Sequence, residues 1–172
     1  ILELNNKKFF SYYQGFHDIS LYLMIIFKND QDKLNDFLYN LCFFKLHDLS
    51  IEYLNEKYDF LNVIKIFAYI FQQLYPDYYK KIQEVSQDGF YYMSSFIFTW
   101  FTHHINDISL LMRIFDYLIT SNPLIIYFLS AEILGIYIEK NNLLENVDND
   151  LQQENYYLNF KSDLIRSEER RV

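Results

Sequence analysis

The 172-residue sequence contains only three glycines, two prolines and one cysteine. Sandwiches and barrels need many turns, and therefore many glycines and prolines, so this scarcity argues against an all-β fold. It favours long helices joined by short polar loops. The lone cysteine, Cys42, can form no disulfide within the chain, which suits a reducing compartment. We interpret Cys42 as a small buried apolar residue.

The sequence also lacks an excess of basic residues and a long apolar run. Its formal net charge is −8, which argues against nucleic acid as a partner. The longest apolar run, at 123–138, contains Glu132 and falls short of the ~20 residues that cross a bilayer. It predicts a buried helix, not a transmembrane segment. The first residues have no signal-peptide pattern, and we expect both ends to be truncated within longer patterns.

Apolar residues are abundant, at 51% of the chain, and include seventeen Phe and seventeen Tyr. They recur at the i, i+3, i+4, i+7 spacing of amphipathic helices, which predicts an all-α, irregular multi-helix array in a single domain over 1–172. We expect eight or nine helices, the last of them weak. They are predicted near 1–10, 16–28, 31–43, 57–74, 76–85, 90–103, 106–120, 123–140 and after 150. The aromatic residues Phe67, Trp100 and Phe115 should be largely buried.

Most kinds of catalytic or metal site have no motif in this sequence. His103 and His104 are adjacent, so on a helix they point about 100° apart, whereas zinc helices prefer an i, i+4 pair. His17 and His47 have no ligand-like spacing to that pair, so we predict no metal site. The sequence contains no P-loop and no G-x-S-x-G elbow.

The segment Tyr12-Tyr13-Gln14-Gly15 is the remaining candidate. One interpretation is a turn between helices with a polar tip. The other is a presented glutamine, because an amide is a poor acid, base or nucleophile but a good positioning group, with donors and an acceptor in one plane. Small GTPases use a glutamine in this way to orient the attacking water.

Two blocks of the sequence resemble the TBC domain of Rab GTPase-activating proteins. The string "YYQGFHDI" at 12–19 matches the Tyr-x-Gln motif of that family, and it is particularly similar to the branch that acts on the Rab of endoplasmic reticulum-to-Golgi traffic. The segment "TWFTHHINDISLLMRIFDYLITSNPLIIYFLSAEIL" at 99–134 resembles the Trp-Phe block followed by Arg-apolar-aromatic-Asp. The residues of this second, structural motif are Trp100, Phe101, Arg113 and Asp116, with Phe115 where the family usually has Trp.

The resemblance implies catalysis in trans by two groups that enter the Rab nucleotide site. Gln14 would be the catalytic glutamine, supported by Tyr12, Tyr13 and Gly15. Gly15 would let the chain turn so that Gln14 points outward, with Tyr12 partly buried as a brace. The chain would need no cofactor of its own, because GTP and magnesium belong to the partner.

The second group that the resemblance implies is an arginine from an Ile-x-x-Asp-x-x-Arg motif that precedes the glutamine. The four arginines all follow Gln14: Arg113, Arg166, Arg170 and Arg171. Arg113 is better explained as a structural residue that pairs with Asp116 one turn away. The sequence therefore resembles a TBC domain without its N-terminal Arg-finger portion, and we expect this chain alone to be inactive.

Two functional hypotheses follow. In the first, the chain is the glutamine-presenting part of a GTPase-activating protein for a Rab in vesicle trafficking. It would be cytoplasmic, at the cytosolic face of endoplasmic reticulum or Golgi membranes, and would reach the membrane only through parts outside this chain. In the second, the TBC fold persists as a non-catalytic scaffold or a structural subunit of a larger assembly. The absent arginine motif favours the scaffold, and the intact Tyr-x-Gln favours the activator.

Overall fold

The computed structural model describes residue 10 and residues 12–28, 30–49, 59–85 and 89–141. These residues form seven α-helices and no strand, which confirms the all-α class. The helices are α1 (Phe16–Phe27), α2 (Gln31–Leu41), α3 (Asp59–Leu74), α4 (Pro76–Val85), α5 (Met93–Thr99), α6 (Ile108–Thr120) and α7 (Ile125–Asn141). A π-helical turn (Cys42–Leu46) and a 3₁₀ turn (His47–Leu49) follow α2. The helices predicted at 1–10 and after 150 lie outside the described residues.

The helix starts follow local chemistry that can be recognised in the sequence. Asp30 caps α2 by accepting a hydrogen bond from the backbone N–H of Lys33 at 3.2 Å. Asp107 caps α6 in the same way, accepting from the N–H groups of Ser109 at 2.8 Å and Leu110 at 3.1 Å. These side chains replace hydrogen bonds that the first turn of a helix cannot make internally.

The long helix α3 lies at the centre of the fold and packs against α4, α5 and α7. Its predicted apolar face is buried at Val63, Ile64, Phe67, Ile70 and Phe71, whereas Leu74 at its end is exposed. The predicted burial of Phe67, Trp100 and Phe115 is confirmed, since each is at most 3% exposed.

The last described helix, α7, is less buried than its apolar sequence predicts. Ala131, Leu134 and Ile138 face the core, but Phe128 and Ile136 are exposed. The predicted buried helix is therefore present with one face in the core, and the part of the helix that carries Phe128 and Ile136 contacts solvent. Pro123 lies in the turn before α7, which starts at Ile125.

The predicted helix at 90–103 is shorter than expected, because α5 ends at Thr99. Trp100 (φ 49°) and Phe101 (φ 68°) are both left-handed. The N–H of Phe101 donates to the carbonyl of Phe96 at 3.1 Å, and that of Trp100 donates to Ile97 at 3.5 Å. This pair of bonds is the Schellman arrangement that ends helices, usually with glycine in the position that Trp100 occupies here. No glycine marks this helix end in the sequence.

Candidate functional site

The Gln14 turn, which we define as residues 13–16, lies immediately before α1. The backbone N–H of Phe16 donates to the carbonyl of Tyr13 at 3.2 Å, which closes a four-residue turn. Gln14 is exposed at its tip, as predicted. Gly15 has φ +113°, and its carbonyl accepts from the N–H groups of Asp18 at 3.1 Å and Ile19 at 3.3 Å. The expected sharp turn at Gly15 is therefore present.

Gly15 is required for a second reason, because it packs against the end of α5. A Cβ added at Gly15 would lie 2.9 Å from the carbonyl oxygen of Phe98 and 3.1 Å from Cγ2 of Thr99. The first neighbour is backbone, which cannot rotate away as a side chain can. The structure thus brings the two sequence blocks together, since α5 leads directly into Trp100 and Phe101.

Tyr13 anchors the Gln14 turn in the core. It is 2% exposed, and its ring lies 5.6 Å from that of Phe98 and 6.1 Å from those of Phe10 and Phe16. Its hydroxyl is buried and makes no hydrogen bond within the described residues. Burial, and secondarily nearby Cys42 and Asp18, raises the pKa of Tyr13 well above its ordinary value of 10.0.

Cys42 is fully buried, as predicted, and burial raises the pKa of its thiol to about 12. Thiol and phenol are therefore both neutral at physiological pH, and neither provides a nucleophile or a base. Both side chains belong to the buried core of the fold.

Tyr12 lies outside the core, which differs from the expectation that it would be the partly buried brace. It is 37% exposed, and the buried support comes from Tyr13. The hydroxyl of Tyr12 is 2.9 Å from Nδ1 of His17, and the two rings are stacked with centroids 6.2 Å apart. Tyr12 therefore contacts the first turn of α1 from the solvent side.

A chain of polar side chains continues from His17, and we call His17, Asp18 and His103 the His–Asp–His bridge. Nε2 of His17 is 3.3 Å from Oδ1 of Asp18, and Nε2 of His103 is 2.8 Å from Oδ2 of the same carboxylate. The sequence suggests no role for His17 and His103 other than metal binding, and it does not reveal this contact. No sequence signal could have found it, because His103 and Asp18 are 85 residues apart.

The turn after α5 is strained, and its aromatic residues are held by burial. Trp100 and Phe101 are 3% and 0% exposed, and the ring of Trp100 meets that of Phe115 edge-on at 5.5 Å. Left-handed backbone at bulky residues costs free energy that the surrounding packing must offset. This turn leads directly to His103, whose imidazole contacts Asp18.

The remaining predicted residues, Arg113 and Asp116, lie on α6 and are both exposed. Within the described part of the chain they form no ion pair with each other. Their predicted pairing is therefore not observed.

The described residues hold no group of three or more His, Cys, Asp or Glu side chains arranged to bind a metal ion. The histidines of the His–Asp–His bridge serve instead as partners of one carboxylate. None of the helices in the described ranges combines the length and apolar character that a membrane crossing requires.

The family profile of the Rab-GTPase-TBC domain matches residues 3–161. The chain therefore belongs to the Rab-GTPase-TBC domain family. The GTPase-activating protein gyp10 of Schizosaccharomyces pombe (strain 972) is 28% identical over 123 residues, which are 72% of this chain and 31% of that protein. The chain thus spans less than a third of the length of this curated relative. No solved structure matches it.

Proposed function

We propose that this chain carries the glutamine-presenting part of a GTPase-activating domain for a Rab GTPase, with Gln14 as the group that enters the partner's nucleotide site. The single observation that carries this proposal is the exposed Gln14 on a turn whose neighbours on both sides, Tyr13 and Gly15, are buried. Family membership and the similarity to a GTPase-activating protein support it.

The geometry suits a positioning role for the amide. The side chain of Gln14 makes no hydrogen bond within the described residues, so its donors and its acceptor are available to a partner. The backbone that carries it is fixed by Tyr13 in the core and by Gly15 against Phe98. A group held in this way can orient a water molecule for attack on the γ-phosphate without first paying the entropy of ordering a loop.

A neutral amide cannot stabilise the negative charge of the transferring phosphoryl group, so the mechanism needs a cation as well. In GTPase activation this cation is an arginine. It raises the rate by about 10³–10⁵-fold, which lowers the barrier by roughly 4–7 kcal/mol. Arg113 lies on α6 among the structural residues of the second block. We propose that the arginine comes from an Ile-x-x-Asp-x-x-Arg segment upstream of Ile1. GTP and magnesium come with the Rab.

The resemblance of the string around Gln14 to one branch of the family supports a partner from the traffic step of that branch. On the resemblance of "YYQGFHDI" we propose the Rab of endoplasmic reticulum-to-Golgi transport, with action at the cytosolic face of those membranes. The scaffold hypothesis gains no support from this geometry, because a scaffold does not require an exposed, rigidly held glutamine.

The test is single-turnover GTP hydrolysis by a panel of GTP-loaded Rab proteins. We expect the 172-residue chain to be inactive and a chain extended upstream through an arginine motif to be active. Gln14→Ala in the extended chain should lower the rate by about 10²–10³-fold. Gln73→Ala, which removes an exposed glutamine from α3, is the matched control and should leave the rate unchanged.

Two outcomes would contradict the proposal. Full activity of an extended chain carrying Gln14→Ala would reduce the turn to a structural feature. An extended chain that contains the arginine motif yet activates no Rab in the panel would favour the scaffold.

A further inference from the structure

We propose that Asp18 is a positioning residue for Gln14, acting through the His–Asp–His bridge that ties the first turn of α1 to the turn after α5. This inference rests on the proposed function of Gln14. It concerns what keeps the glutamine in place, and it assigns roles to two histidines and a carboxylate that sequence motifs leave unexplained.

Buried contacts fix the Gln14 turn only on the side that faces the core. Tyr13 and Gly15 hold the backbone against the core and against α5. Gln14 and Tyr12 lie on the solvent side. On that side the turn is connected to the rest of the molecule by the hydroxyl of Tyr12, which contacts His17 at 2.9 Å.

His17 in turn contacts Asp18, and Asp18 contacts His103 in the turn after α5. The carboxylate uses both oxygens, Oδ1 towards His17 at 3.3 Å and Oδ2 towards His103 at 2.8 Å. The contact with His103 is a hydrogen bond to an ionised acceptor, which is roughly twice as strong as one between neutral groups. The side chain of Asp18 is only 19% exposed, whereas those of His17 and His103 are 54% and 49% exposed. The carboxylate is therefore the sheltered centre of the bridge.

One tautomer of the two imidazoles is compatible with all the contacts of Tyr12, His17, Asp18 and His103. With the proton of each imidazole on Nε2, His103 donates a hydrogen bond to Asp18, the N–H of His17 lies in electrostatic contact with the same carboxylate, and Nδ1 of His17 accepts from the hydroxyl of Tyr12. Asp18 also lies in the first turn of α1, where the helix dipole favours a negative charge. The single negative charge of the bridge is therefore stabilised by the hydrogen bond from His103, by the start of α1 and by partial exposure to water.

These contacts form a clamp, by which we mean that Tyr12 before Gln14 and His17 after it are held together and tied to the turn after α5. Tyr12 and His17 hold the outer side of the turn, and Asp18 fixes them to His103 beside the strained Trp100–Phe101 backbone. Displacement of a reacting group by about 1 Å can cost about 10²-fold in rate. Loss of the clamp should therefore lower catalysis through Gln14 without removing Gln14 itself.

The test uses the active, upstream-extended protein and single-turnover hydrolysis at varied protein concentration. Asp18→Ala should lower the maximal rate by about 10–100-fold, while the concentration that gives half the maximal rate changes little. His103→Phe should produce a similar loss, because it breaks the bridge from the other side without touching α1. Asp30→Ala removes the capping carboxylate of α2 and is the matched control for loss of an acidic residue at a helix start.

Asp18→Asn separates positioning from charge. An asparagine can accept from His17 and donate to the other tautomer of His103, so it should restore most of the rate lost in Asp18→Ala. A residue with only a structural role would show equal losses in maximal rate and in folded fraction, which circular dichroism and urea unfolding measure for every variant.

The double variant distinguishes this inference from the proposed function. If Asp18 acts through Gln14, Asp18→Ala should cause little further loss once Gln14→Ala is present. Equal losses in both backgrounds, or a loss no greater than that of Asp30→Ala, would overturn the positioning role while leaving Gln14 in place. No loss from Gln14→Ala itself would overturn the proposed function, and the positioning role would fall with it.

Discussion

Glycine brings two elements into close contact at two regions of this molecule, and the two contacts differ in what they meet. At Gly15 an added Cβ would meet the backbone carbonyl of Phe98, and the residue has a positive φ. At Gly135, within α7, an added Cβ would run into the ring of Tyr75, the residue between α3 and α4.

The neighbours determine what each contact can do. The ring of Tyr75 is held by a hydrogen bond from its hydroxyl to Glu132 at 2.8 Å and by stacking on Tyr78 at 5.8 Å, so it can move if those contacts are lost. The carbonyl of Phe98 is part of the backbone of α5, so it cannot move away in this manner. The Gly15 contact therefore fixes a backbone and presents Gln14, whereas the Gly135 contact only joins helices. At the candidate site Gly15 combines a close backbone contact with a positive φ, whereas Gly135 has a close contact with a side chain only.

The largest predicted effect is at Gly15. Gly15→Ala should destabilise the chain by about 3 kcal/mol, because it adds the strain of a positive φ to a clash with backbone. Urea unfolding followed by circular dichroism measures the change in the free energy of unfolding.

Gly89 supplies the control for that substitution. It also has a positive φ, of +58°, but the nearest atom to an added Cβ, Nε2 of Gln83, is 3.9 Å away. Gly89→Ala should therefore cost only about 1 kcal/mol, the strain alone. Equal losses at Gly15 and Gly89 would contradict the role assigned to the contact with α5.

A smaller effect is predicted at Gly135. Gly135→Ala gains up to about 1 kcal/mol of helix propensity, but displacing the ring of Tyr75 costs about 1–3 kcal/mol. We expect a net loss of about 1 kcal/mol in the free energy of unfolding.

The sign should reverse when the ring is absent. In a Tyr75→Ala background, Gly135→Ala should stabilise the chain, because only the gain in helix propensity remains. A loss of the same size in both backgrounds would show that Tyr75 is not the source of the crowding.

The sequence predicted the helices because their apolar spacing is a strong local signal. α4 begins and ends as predicted, and α1, α3 and α6 do so within two residues. The end of α5 could not be predicted, because Trp100 replaces the glycine expected at a helix end and is held there by burial against Phe115. That cause lies in tertiary packing, which no local pattern reports.

The candidate site divides in the same way. The exposure of Gln14 and the turn at Gly15 follow from local residue types and were predicted. The contact of Gly15 with Phe98 and that of Asp18 with His103 join segments more than 80 residues apart in the chain. Such contacts depend on how the helices pack, which a single sequence does not determine. For the same reason the residue types around Gln14 do not show that Tyr13, rather than Tyr12, is the buried brace.

The smallest effect is predicted at Tyr13, beneath the Gln14 turn. Tyr13→Phe keeps the ring in contact with Phe16 and Phe98 and removes a buried hydroxyl that makes no hydrogen bond within the described residues. Leaving such a group unsatisfied costs about 1–3 kcal/mol, so the variant should be as stable as the parent, or more stable by about 1 kcal/mol, at neutral pH. A loss above about 1 kcal/mol would mean that the hydroxyl has a partner.

The dependence on pH sharpens this prediction. The pKa of Tyr13 is raised in the folded chain above its ordinary value of 10.0. Below pH 10 the phenol is neutral in both the folded and the unfolded states, so it adds no dependence on pH. Above pH 10 the unfolded chain loses this proton first, and the parent should lose about 1.4 kcal/mol per pH unit more than Tyr13→Phe until the folded pKa is reached. Urea unfolding of both proteins at pH 8 and at pH 11 measures the difference, and parallel losses in the two proteins would place the hydroxyl in water rather than in the core.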